Sequence, residues 1–210
     1  MSTLILDKWR IGRYNAFCWR NELSAVQKLA LSIGMAVLTG LLAQVRVPLP
    51  WTPVPITGQT FGVLFSGVLL GSRWGGISQV IYVGLGIAGV PWFNNWQGGI
   101  SLLAGPTGGY LIGFILAAFL IGYLMDKYIY TRKFHSLLGL MCVINFGLIY
   151  IPGLIQLDLW LNLIRGQAVS FSQVLAMGLF PFVAGDLVKI FLVAGIAWGV
   201  TPKQAMSREK

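Results

Sequence analysis

Long runs without a charged side chain constrain this chain more than any other feature. Leu29 to Val45, Trp74 to Met125, Phe134 to Leu157 and Gly166 to Gly185 contain no Asp, Glu, Lys or Arg. A helix that crosses a bilayer needs roughly 20 apolar residues. The 52-residue run from Trp74 to Met125 therefore holds two helices and the connection between them. The runs are continuously apolar, whereas the strands of a membrane barrel alternate, so helices are indicated. Only 10% of the residues are charged, against about 25% in a typical soluble domain. That leaves too little polar surface to solvate a globule. The expected fold class is an all-α integral membrane protein with six transmembrane helices.

The spans read as about Ser24 to Val45, Thr57 to Gly71, Gly75 to Gly89, Pro106 to Met125, Ser136 to Leu154 and Gln173 to Gly199. The second and third are short, which implies tilt or partial insertion. Pro152 and Pro181 are expected to end or kink their helices. Residues 1–23 form a basic, aromatic segment expected at the inner membrane surface, 24–199 the six-helix membrane domain, and 200–210 a cytoplasmic tail. The N-terminal segment has no unbroken apolar core of the kind a cleaved signal peptide needs.

Basic residues set the orientation. Lys8, Arg10, Arg13, Arg20, Lys28, Arg73, Lys127, Arg132, Lys133, Lys203, Arg208 and Lys210 fall on one side of this span arrangement, and only Arg46 and Arg165 on the other. Twelve against two is a strong positive-inside bias, so both termini are expected in the cytoplasm. The net charge of +9 is explained by this topology and does not require a nucleic-acid partner. The chain has six acidic residues, one His and two distant cysteines, Cys18 and Cys142. It carries no metal cluster, nucleophile elbow or phosphate loop. An enzyme acting on lipid is disfavoured by that shortage, and the energy for any uptake must come from another protein or an ion gradient.

Asp186 and Lys189 carry the most chemical information. They lie three apart within the last apolar span and so share a helix face. A charge inside the bilayer costs at least ~2.5 kcal/mol on insertion scales, so such residues face a cavity or a partner. A structural ion pair is one reading. A polar ligand site is preferred, because Pro181 and Gly185 open the local backbone. The outer loops also hold Trp51, Trp92, Trp96, Trp160, Asn94, Asn95 and Gln97 among prolines and glycines. Rings for apolar contact and amides for hydrogen bonds suit a binding lid. GPTGGY, Gly105 to Tyr110, and the small residues Ala30, Gly34, Ser32, Ala36 and Gly40 suit close helix packing. GLGIAG, Gly84 to Gly89, matches a dinucleotide fingerprint formally but lacks the strand and helix around it.

Four blocks resemble a known family. VPLPWTPVPITGQTFGVLFSGVLLG (Val47 to Gly71), YVGLGIAGVPWF, GPTGGYLIGF and PFVAGDLVK are similar, in order, to the motifs of the BioY family. Those proteins are the biotin-specific substrate-binding components, or S-components, of energy-coupling factor (ECF) importers. The resemblance implies an S-component-like bundle in a prokaryotic cell membrane, with a biotin pocket near the outer face. It also implies a transmembrane coupling subunit, two ATPase subunits, and no cofactor, biotin being the transported ligand. The family's Asp and Lys of the last span fall on Asp186 and Lys189. Its coupling surface falls on either Ala30 with Gly34 or Ser32 with Ala36.

On that resemblance, Asp186 accepts a ureido N–H, and Asn94 or Asn95 bonds the ureido group. Tyr82, Trp92 and Trp96 cover the apolar ring, and Lys189 binds either the carboxylate or the ureido oxygen. The loop WFNNWQGGIS lacks the Arg found there in some family members, which leaves the carboxylate partner open. The competing reading is a solitary or ion-coupled permease for a small organic solute, with Asp186 and Lys189 as a proton relay.

Overall fold

The computed structural model describes residues 2–202. The tail residues Lys203, Arg208 and Lys210 counted above lie outside the described residues. Among the described residues the fold is helical, apart from a two-residue ladder that pairs β1 (Arg46–Val47) with β2 (Ile56–Thr57) and an isolated bridge between Phe93 and Gln97. Among the described residues, four helical runs are long and apolar enough to cross a membrane: Ala25–Gln44, Gly108–Lys127, Phe134–Ile164 and Phe171–Val200.

The first helix, α1 (Ser2–Glu22), leads into α2 (Ala25–Gln44) through a capping box. Ser24 Oγ accepts the Gln27 amide at 3.3 Å and Gln27 Oε1 accepts the Ser24 amide at 2.9 Å. These contacts satisfy N–H groups that a helix start leaves unpaired. The segment α1 is thus a regular helix. Its Lys8, Trp9, Gly12, Arg13 and Ala16 lie beside Gly199 and Val200, at the end of the last helix.

The second and third expected spans form one element, α3 (Gln59–Ile87), which reverses at Gly71. Gly71 has φ 79° and ψ −174°, a conformation that a Cβ disfavours strongly. The two legs then run side by side. Gln59 Nε2 donates to the Tyr82 hydroxyl at 2.7 Å, and Gln79 Nε2 to Ser66 Oγ at 3.1 Å. Asp126 holds the turn from outside, accepting the Ser72 amide at 3.1 Å and pairing with Arg20 at 2.6 Å.

Helix α4 (Gly108–Lys127) packs on α3 and on the next helical run. A Cβ on Gly109 or Gly113 would collide with the carbonyls of Pro152 and Leu148, so the expected close packing is present. That next run is longer than the expected Ser136 to Leu154. It comprises α5 (Phe134–Ile144), a π-turn (Asn145–Ile149), α6 (Tyr150–Leu159) and a second π-turn (Trp160–Ile164). Pro152 does not end it. The first π-turn lies immediately upstream, and such a widened turn accommodates the carbonyl that a proline cannot pair. Trp160 is consequently helical rather than in an outer loop.

The last span is two helices, α7 (Phe171–Gly178) and α8 (Phe180–Val200), broken at Leu179. Pro181 has no N–H to give the Met177 carbonyl. Thr52 Oγ1 donates to that carbonyl at 2.8 Å, and the Tyr110 hydroxyl donates to the Gly178 carbonyl at 2.8 Å. The break is thereby satisfied by the Pro-rich connection, Pro48 to Pro55, and by α4. Arg20, Lys28 and Arg73 gather around Asp126 at one end of the bundle, as do Lys127 and Arg132. The connection 88–107 and the Pro-rich loop cover the other end.

Candidate ligand-binding site

Beneath those two loops lies a cavity of about 700 Å³, mouth included. Its apolar walls come from Phe93, Leu102, Leu111, Phe114, Ile149 and Phe182, with Val54 and Pro55 from the Pro-rich loop. Its polar groups are Thr57, Gln59, Thr60, Asn94, Gln97, Thr107, Tyr110, Tyr150, Asp186 and Lys189.

Asp186 is 1% exposed, and its carboxylate is fully engaged. Oδ1 accepts Thr60 Oγ1 at 3.0 Å and Lys189 Nζ at 2.5 Å. Oδ2 accepts Asn145 Nδ2 at 2.8 Å and the Tyr150 hydroxyl at 2.7 Å. An ionised carboxylate has about four acceptor positions, and all four are taken here. Lys189 also donates to the Thr57 carbonyl and to Thr60 Oγ1, both at 2.8 Å. With Asp186 these use its three N–H donors. The node is neutral overall and ties β2, α3, the π-turn and α6 to α8. Such saturation makes a buried ion pair tolerable, because each uncompensated buried charge is costly.

Among the sequence-derived candidates, Asp186, Lys189 and Asn94 line the cavity. The other four do not. Tyr82 is fully buried within the α3 hairpin, where Gln59 bonds it and Trp92 and Phe93 pack against its ring at 5.5 and 5.4 Å. Trp92 lies on Gly40 of α2, and its Nε1 donates to the Tyr82 carbonyl at 2.9 Å. Asn95 is exposed at the tip of the covering loop, and Trp96 is 64% exposed. These four lie in or against the loop that covers the cavity, and Phe93 is the aromatic residue of that loop that lines it. Gly86 makes room for Phe93, since a Cβ there would overlap its ring.

Sequence reasoning missed Thr60, Asn145, Tyr150, Phe114 and Phe182. The signal for Asn145 was a lone amide in an apolar run. Thr60 offered none beyond its place after Gln59. The two registers of small residues are separated by burial: Ser32 and Ala36 are at 0% exposure, and Ser32 Oγ donates to the Trp74 carbonyl at 3.1 Å. That pair is internal packing. Ala30 and Gly34 are exposed on the outer face of α2.

Apolar helices enclosing a mixed aromatic and polar cavity around a neutral ion pair define a helical membrane protein that holds a small molecule. Residues 16–205 match the model of the BioY family, and the chain belongs to that family. It is 52% identical over 144 residues to a protein of Methanothermobacter thermautotrophicus described as a probable biotin transporter BioY, covering 69% of this chain and 92% of that one. It is 41% identical over 151 residues to the biotin transporter BioY of Thermotoga maritima, covering 72% and 83%. A crystal structure of the S-component for biotin from an ECF-type ABC transporter matches with a TM-score of 0.75 at 26% identity, covering 89% of this chain and 98% of that one.

Proposed function

We propose that this chain captures biotin from outside the cell as the substrate-binding subunit of an ATP-driven ECF importer. The observation that carries the reading is the chemistry of the cavity. Biotin has a polar ureido ring, an apolar thioether ring and an anionic chain. The cavity joins aromatic walls to amides, hydroxyls and the Asp186 node. A ureido N–H reaches Asp186 by taking the place of the Tyr150 or Thr60 hydroxyl, which then turns to the ureido oxygen. Asn94 supplies a further amide from the covering loop. Arg46, whose guanidinium lies 3.4 Å from Asn94 Oδ1 at the rim, is suited to the carboxylate.

The two legs of α3 count as separate crossings in this reading, which makes six, with both termini on the cytoplasmic side of a prokaryotic inner membrane. The twelve-to-two distribution of basic residues supports that orientation. It sets α1 at the inner surface and the cavity towards the outside. Ala30 and Gly34, flanked by exposed Val26, Ile33, Val37 and Leu41, form the surface for a transmembrane coupling subunit, which two ATPase subunits drive.

Titration of the purified, ligand-free protein with biotin, followed by calorimetry and tryptophan fluorescence, tests the reading. Saturable one-to-one binding without partners is expected. Folded protein that gives neither heat nor spectral change would overturn it.

A further inference from the structure

The loop that covers the cavity is gripped at its tip by one side chain from a different helix. Gln44, in the last turn of α2, donates from Nε2 to the Phe93 carbonyl at 2.9 Å and more weakly to the Trp92 carbonyl at 3.3 Å. Its Oε1 accepts the Trp96 amide at 3.0 Å. One amide therefore brackets the turn from Phe93 to Trp96, holding the carbonyl that enters it and the N–H that leaves it. Nε2 also donates to the Gly40 carbonyl at 3.1 Å, which fixes the side chain to its own helix.

The turn needs such a grip. Asn95 and Trp96 both have positive φ, 64° and 54°. Residues with a Cβ enter that region reluctantly, and two in succession are rarer still. Beside the Phe93 amide's own bond to the Gln97 carbonyl at 2.9 Å, Gln44 opposes relaxation of this strained tip to an extended form. Phe93 and Asn94 sit within this turn and both line the cavity, so the relaxed form would withdraw a wall and an amide from the site together. Gln44 is not among the cavity-lining residues, so its effect on a ligand passes through the loop.

We infer that Gln44 is a positioning residue that clamps the covering loop in its closed form and thereby sets how slowly ligand leaves. The inference rests on the reading of this cavity as the biotin site. Gln44→Met keeps length and shape but removes both the donor and the acceptor. Gln44→Glu keeps the acceptor for the Trp96 amide and loses the donor to Phe93.

The test measures biotin release and association by stopped-flow tryptophan fluorescence on wild type and both variants. Amide hydrogen exchange of residues 92–97 in ligand-free protein runs alongside. Loss of the Gln44 hydrogen bonds to the loop should speed release about tenfold in Gln44→Met. Gln44→Glu should fall between it and wild type, association should not slow, and exchange should accelerate at 92–97 while α4 and α8 keep their protection. Wild-type release from Gln44→Met would overturn the clamp. So would faster exchange throughout the bundle, since that is the mark of a general packing defect. If wild type itself fails to bind biotin, the ligand reading fails, and local exchange at 92–97 decides the clamp alone.

Discussion

Asn145 donates from Nδ2 to Asp186 Oδ2 at 2.8 Å, across 41 residues of sequence. Asn145 opens the π-turn that precedes Pro152, and Asp186 stands one turn after Pro181 in α8. Two proline-associated irregularities thus meet at the cavity floor. The same carboxylate oxygen accepts the Tyr150 hydroxyl, from the residue that follows the π-turn. The widened turn separates Asn145 and Tyr150 by five residues yet lets both reach one oxygen.

This meeting makes the ion pair sensitive to single changes. Asp186→Ala and Lys189→Met each leave one buried charge without its partner. Each should cost about 3–5 kcal/mol of stability, while the double variant should cost less than the sum. Thermal melts in detergent check the stability, and biotin calorimetry should show weakened binding in all three. Wild-type affinity in both single variants would remove the node from the site.

Thr60 bridges the pair, donating to Asp186 and accepting from Lys189. Thr60→Val should leave two buried polar groups short of a partner, at about 1–3 kcal/mol. Thr60→Ser should retain most of the stability and the affinity. Equal behaviour of the two variants in melts and titrations would mean that the hydroxyl contributes nothing.

Gly109 touches the Pro152 carbonyl closely enough that no Cβ fits. Gly109→Ala must push α4 away from α6, a strain of about 1–3 kcal/mol. A lower melting temperature and weaker biotin binding are expected, because Tyr110 and Leu111 beside it line the cavity. An unchanged melt would show that the two helices slide apart freely.

Ala30→Trp should leave biotin affinity as in wild type and impair co-purification with a coupling subunit. Ser32→Leu should instead destabilise the isolated protein, since its hydroxyl is buried against Trp74. Normal complex formation by Ala30→Trp would move the coupling surface elsewhere.

Arg46→Gln should weaken biotin more than biotinamide, whose chain carries no charge. A charge-assisted hydrogen bond contributes about 1.5–3 kcal/mol, so roughly a tenfold to hundredfold loss for biotin alone is the measurable difference. Equal losses for the two ligands would exclude Arg46 as the carboxylate partner.

Much of the fold was legible because lipid imposes simple rules. Charge-free runs of sufficient length must be helical, and the side on which basic residues collect follows from the order of the spans. Gly71 and Pro181 marked real breaks, as glycine and proline do when the backbone leaves helical geometry. Pro152 did not, because the π-turn just upstream, Asn145–Ile149, absorbed it. The site was half legible. Asp186 and Lys189 stood out because ionised groups are rare at such depth, and Asn94 because an amide in a covering loop has an evident use.

By itself, the sequence determined that this chain is a helical membrane protein of the BioY family, with an Asp and a Lys on one face of its last span and aromatic and amide residues in its outer loops. The tertiary structure decided which side chains face the cavity. In a soluble helix the apolar stripe identifies the buried face, but in lipid both faces are apolar and the pattern is silent. Tyr82, Trp92 and Trp96 therefore looked like wall residues, and Phe93, Phe114 and Phe182 looked like bulk. Only the fold brings Thr60 to Asp186 across 126 residues, or Gln44 to Phe93 across 49. Those contacts depend on the reversal at Gly71 and on where α2 ends, which no local pattern encodes.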